Sequence, residues 1–148
     1  AKEKRAKLVR PRTVYYAAII SLVGVSILYA LATRNLLELH ILHDRNPLYV
    51  RLSSGEIRNG YEIKILNKTH SLRHYSLTLK NFPEAKIETR PAGSVPPDDL
   101  PAQPDAVTEY RVFLTAPRQN EYQKHIRFMI KEINDNNMAY HDSVFISE

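Results

Sequence analysis

Tyr61-Glu62-Ile63-Lys64-Ile65 decides the reading of this chain, because apolar and charged side chains alternate there with period two. Successive side chains of a β-strand point to opposite faces, so the stretch buries Tyr61, Ile63 and Ile65 and wets Glu62 and Lys64. The pattern recurs outward from it. Tyr75-Ser76-Leu77-Thr78-Leu79-Lys80 alternates in the same way. Tyr110-Arg111-Val112-Phe113-Leu114-Thr115 and Ile126-Arg127-Phe128-Met129-Ile130-Lys131 repeat it, each with one bulky residue, Phe113 or Met129, on the outer face. Leu37 to His43, Leu48 to Leu52 and Val144-Phe145-Ile146-Ser147 supply further short runs. The expected core is Tyr61, Ile63, Ile65, Tyr75, Leu77, Leu79, Val112, Leu114, Phe128, Ile130 and Val144.

Turn chemistry separates the runs. Asn46-Pro47, Ser53-Ser54-Gly55, Arg58-Asn59-Gly60, Asn67-Lys68-Thr69, Asn81-Phe82-Pro83 and Asn134 to Asn137 all read as breaks. No helical pattern alternates with the strands. Seven or eight short strands with such turns therefore predict an all-β antiparallel sandwich rather than a βαβ fold. The segment Arg90 to Asp105 holds Pro91, Pro96, Pro97, Pro101 and Pro104, five of the nine prolines. Proline cannot donate to a ladder, so this segment reads as a long extended surface loop and supplies no central strand. A proline-rich ligand segment is the lesser alternative.

Ahead of the strands, Thr13 to Thr33 contains no charged residue. Roughly 20 helical residues cross a hydrocarbon core of about 30 Å, so Val14 to Thr33 reads as a transmembrane helix. Tyr15, Tyr16 and Tyr29 lie near its ends, where amphipathic rings favour the interface. Gly24 and Ser26 fit a close helix contact. A buried core helix and a cleaved signal peptide are the rivals. The second lacks a convincing small-x-small cleavage site, Leu31-Ala32-Thr33 being a weak one.

The net charge of +5 is confined to the tail, where Lys2, Lys4, Arg5, Lys7, Arg10 and Arg12 face Glu3 alone. The rest is electrically balanced and has no basic stripe, which argues against nucleic acid as a partner. A basic flank on one side of an apolar helix sets orientation. Residues 1–13 are expected as a cytoplasmic tail, 14–33 as the span and 34–148 as a periplasmic β-sandwich domain. The chain begins with Ala1, which reads as a fragment or processed product of something longer.

The chemistry is thin. The 148 residues include no cysteine, which excludes disulfides, thiolate metal sites and cysteine nucleophiles from this chain. Six histidines are present: His40, His43, His70, His74, His125 and His141. His40 and His43, three apart on a strand, face opposite sides; His70 and His74 flank a turn. With Met129 and Met138, His141 would make a soft N/S set for copper, but no spacing matches a recognised ligand pattern. Asp98-Asp99 reads as solvated. No Gly-rich phosphate loop exists, since the chain has only four glycines, and no elbow motif surrounds any serine. Asn67-Lys68-Thr69 matches a glycosylation sequon, with a turn as the better account. No residue is assigned a catalytic, cofactor-binding or metal-binding role.

Arg10-Pro11-Arg12 before an apolar helix, then Asp44-Arg45-Asn46-Pro47-Leu48-Tyr49, then Ile57 through Thr69, then Tyr110 through Pro117 resemble the C-terminal part of the FixG/CcoG family. These are bacterial cytochrome oxidase accessory proteins. The resemblance covers essentially the whole chain, and Arg58-Asn59-Gly60-Tyr61 with Asn67-Lys68-Thr69 is its most specific piece. It implies a multi-helix inner-membrane parent whose cytoplasmic ferredoxin-like module carries two 4Fe–4S clusters. The parent would end in a periplasmic immunoglobulin-like domain. The family serves assembly of cbb-type cytochrome oxidase, supplying electrons that reduce copper. None of the cluster ligands maps onto this cysteine-free chain, so no cofactor is expected within it. The implied partners are the lipid bilayer, the upstream parts of the parent and oxidase assembly components, with a homodimer also open. Two functions follow: a non-catalytic interaction domain on a membrane anchor, or a copper-binding domain using His and Met.

Overall fold

A computed structural model describes residues 10–90 and 95–147 of the chain. The tail residues Lys2 to Lys7, together with Pro91 and Glu148, lie outside them. The chain divides into two units, Ala1–Asn35 and Leu36–Glu148.

The first unit contains helix α1, Pro11–Ala32, which starts earlier than Val14 because Pro11 occupies the first helical turn. Proline suits that position, since its fixed φ is helical and the missing N–H has no intrahelical partner there. The helix is long and apolar enough to cross a membrane. Ser26 closes its own polar group by donating from Oγ to the carbonyl of Leu22 at 2.8 Å. That satisfaction within the segment is what hydrocarbon demands. Thr33 ends the helix by donating from its N–H, at 2.9 Å, to the carbonyl of Tyr29.

The second unit is built from strands β1 Leu37–His43, β2 Val50–Arg51, β3 Ile57–Asn67, β4 Arg73–Leu79, β5 Lys86–Arg90, β6 Leu100–Ala102, β7 Ala106–Ala116, β8 Gln123–Glu132 and β9 Met138–Ile146. One antiparallel sheet has the order β1-β3-β7-β5, with β2 also paired to β3. The other has the order β6-β4-β8-β9 and is antiparallel as well. The two inner faces meet in one core that includes Tyr61, Ile63, Ile65, Tyr75, Leu77, Val112, Leu114, Phe128 and Ile130, all buried as their periodicity requires. Burying such side chains stabilises by about 1.5–3 kcal/mol each.

Four expectations need correction. Arg58-Asn59-Gly60 is no turn but the start of β3, with Asn59 and Gly60 both buried. Val144 is half-buried, on the outer face opposite His125, and Phe145 occupies the core instead. The strand extends back to Met138, so the short terminal run was out of phase by one residue, which swaps the faces. Leu79, at the end of β4, is only partly buried against the core. Finally, the proline-rich segment is not merely a surface loop, because it contains β6. Leu100 and Ala102 in it are fully buried. Pro101 is accommodated because β6 is an edge strand paired only with β4, where a missing donor costs no ladder bond. The strand β5 was also not anticipated.

Asn67-Lys68-Thr69 does turn. The Asn67 carboxamide is buried and accepts from the N–H and hydroxyl of Thr69 at 3.0 and 2.6 Å. It donates to the carbonyls of Ser71 and Ala102, at 2.9 and 3.1 Å. An amide so engaged is no glycan acceptor in the folded chain.

Candidate functional site

Parts of three stretches that carry the family resemblance, Asp44, Arg58 to Gly60 and Arg111 to Phe113, meet on the β1-β3-β7-β5 sheet. Gly60 is the reason they can. A Cβ there would collide with the Asp44 carboxylate and lie 3.3 Å from the Phe113 ring. Without a side chain, β3 lets Asp44 lie flat against it. The N–H of Asp44 donates to the carbonyl of Gly60 at 2.9 Å. The carboxylate accepts from the Arg111 guanidinium at 2.5 Å. Asn46–Pro47, next in the chain, is a cis peptide.

Phe113 sits between Gly60 and Glu88 in the sheet register, on the outer face. Three guanidinium carbons surround its ring: Arg58 at 5.3 Å, Arg90 at 5.9 Å and Arg111 at 5.9 Å from the centroid. The π face of an aromatic ring attracts cations, and arginine most often. Arg111 has its acid, Asp44. Among the described residues, neither Arg58 nor Arg90 has a carboxylate at ion-pair distance. The face therefore presents two exposed or half-exposed guanidinium groups on an apolar ring.

On the inner side of the same strand, Asn59 joins the sheets. Its amide donates to the Ile146 carbonyl at 2.8 Å, and its oxygen accepts from the Ile146 N–H at 2.9 Å. The same oxygen lies 2.7 Å from Nε2 of His43, so that nitrogen carries the proton. Tyr61 donates from its hydroxyl to the Val144 carbonyl at 2.7 Å. These side chains take up the outward backbone groups of β9, which would otherwise be a free edge. Burial pushes the Tyr61 phenol well above its ordinary range.

The histidines do not gather. His43 faces inward, its ring edge-on to Tyr61 at 4.9 Å. His40 faces outward and lies 6.3 Å from the His141 ring. His70 and His74 each pair with an aspartate of the proline-rich segment, Asp105 at 2.6 Å and Asp99 at 2.5 Å. His125 lines a shallow groove with Lys80, Asn81, Arg127 and Asp142. Arg127 holds Asp142 by two hydrogen bonds of 2.6 and 3.0 Å, which keeps the pKa of that carboxyl below the usual carboxylate range. Met129 and Met138 lie on the outer face of the second sheet, opposite Tyr140 and Lys131, whereas His141 pairs with Phe128 on the inner side. The N/S set drawn from the sequence is thus split between two faces. No group of three or more His, Asp or Glu among the described residues is placed to hold a metal ion.

The sequence reading missed this site because it took Arg58-Asn59-Gly60 for a turn. The signal was there: Gly60 falls directly before the alternating stretch, and Asp44 lies in another resembling segment.

A helix fit to span a membrane, followed by an antiparallel immunoglobulin-like sandwich, defines the class. Residues 27–148 match the family described as "IG-like fold at C-terminal of FixG, putative oxidoreductase", and the chain belongs to that family. It is 41% identical over 113 residues to the "Nitrogen fixation protein FixG" of Rhizobium meliloti (strain 1021), covering 74% of this chain and 21% of that one. It is 30% identical over 142 residues to "Protein RdxB" of Cereibacter sphaeroides, covering 92% of this chain and 29% of that one. "Protein RdxA" of the same organism is 35% identical over 115 residues, covering 78% and 24%. The chain thus spans less than a third of the length of these relatives. The crystal structure of a FixG-related protein from Vibrio parahaemolyticus aligns with a TM-score of 0.65 at 20% identity, covering 78% of this chain and 99% of that one, and shares its fold.

Proposed function

We propose that the sandwich is a non-catalytic periplasmic interaction domain on a membrane anchor. In this reading it forms the C-terminal part of a longer redox protein that serves assembly of cbb-type cytochrome oxidase. The observation that carries the reading is the match of residues 27–148 to the C-terminal domain of an oxidoreductase family. The redox chemistry belongs to the parent, where iron–sulfur clusters would supply electrons for copper reduction. This chain brings α1 as an anchor and a sandwich in which the buried Asn59, Tyr61 and Asn67 hold sheets and loops together. Its remaining functional capacity is surface.

A domain swap tests this. In the longer protein, the sandwich is replaced by an unrelated immunoglobulin-like sandwich on the same helix. The expected result is a loss of assembled oxidase comparable with removal of the whole protein. Undiminished oxidase would overturn the proposal.

A further inference from the structure

We infer that the outer face around Phe113 is a docking surface for an acidic segment of a protein partner, recognised through Arg58 and Arg90. This deepens the interaction-domain reading and rests on it.

Asp44, which lies over Gly60 beside the ring, is already committed to Arg111. Among the described residues, Arg58 and Arg90 are left flanking the ring without an acid at ion-pair distance. Planar guanidinium groups accept carboxylates in bidentate geometry, and the ring beneath them holds their planes. Arg90 lies on β5, an edge strand, so a partner reaches it without displacing a neighbour. Glu88, opposite Phe113 on that strand, sets a limit. It repels a carboxylate placed directly over it, so the acid is taken at Arg58 and Arg90 and not above Glu88.

Shape favours a protein over a lipid headgroup: β5 ends the order β1-β3-β7-β5, so an extended acidic segment can run along that edge past Arg90 and Phe113.

The full chain is placed in nanodiscs of zwitterionic lipid and titrated with a fluorescent, end-blocked tetraglutamate peptide, read by anisotropy. Saturable binding is expected that weakens as salt rises. Arg58→Gln/Arg90→Gln should weaken it at least tenfold, and Lys131→Gln, on the outer face of the other sheet, less than twofold. Arg58→Lys/Arg90→Lys should fall between, since charge is kept and the planar fork lost. If the double variant fails to fold, Arg90→Gln alone carries the test. Equal binding by wild type and the Gln variants would overturn the inference. So would displacement of the peptide by short-chain phosphatidylglycerol bound at the same arginines, which would make the face a lipid site. Failure of the interaction-domain reading itself shows separately, as undiminished oxidase in the domain swap.

Discussion

At Asn59 one side chain carries three hydrogen bonds, to both backbone groups of Ile146 and to His43. Asn59→Leu would leave those partners unpaired, the Ile146 groups buried and His43 half-buried, at about 1–3 kcal/mol each. The expected loss of unfolding free energy is at least about 3 kcal/mol by urea denaturation; a loss below about 1 kcal/mol would show that β9 is held by other means. Tyr61 adds a pH signature. Its phenol is raised in the folded state by burial, so the stability it contributes is complete below about pH 10, where an ordinary tyrosine begins to ionise. That stability is lost as pH rises further, because the unfolded chain ionises first. Tyr75, pushed up to about 12, adds to the same decline. Tyr61→Phe should cost about 1 kcal/mol at neutral pH and make the alkaline decline shallower. An unchanged alkaline slope, read by chemical denaturation across pH, would contradict this assignment.

Among the elements, β6 shows best where sequence reading stops. The long strands were legible because each lays several apolar residues on one face, as Tyr61, Ile63 and Ile65 do. Strand β6 has only Leu100 and Ala102 facing the core, with Pro101 between them, and no alternation extends beyond. Its place comes from partners distant in sequence. The hydroxyl of Tyr110 donates to the Pro101 carbonyl, and the N–H of Leu77 donates to that of Pro97 at 2.8 Å. Strand β5 was silent for a similar reason, since only Ile87 and Thr89 turn inward. The outer-face site was legible only in pieces. Phe113 stood out as a bulky outward residue, but its arginines come from three strands that only tertiary pairing brings together. Leu100→Ala should therefore cost about 2–5 kcal/mol, as a core truncation does. A surface-like cost near 0.5 kcal/mol in thermal or urea unfolding would return the segment to a loop. On β9, Phe145→Ala should cost about 3–5 kcal/mol and Val144→Ala much less. The reverse order would put the strand in the other register.

For the whole molecule, the basic flank before α1 and the neutral sandwich after it predict which compartment each occupies. The chain contains no cysteine, so Ser53→Cys supplies a single label site on the sandwich. A maleimide that cannot cross the inner membrane should react with it in cells with a permeabilised outer membrane; reaction only after inner-membrane lysis would reverse the topology. The central claim is that the sandwich acts through its surface and leaves redox chemistry to the rest of the longer protein. The direct measurement deletes residues 36–148 from that protein and follows, by absorbance in isolated membranes, reduction and reoxidation of the iron–sulfur clusters that the proposed function assigns to it. The account predicts unchanged cluster content and electron-transfer rates. Loss of the clusters, or of their reoxidation by copper, would contradict it.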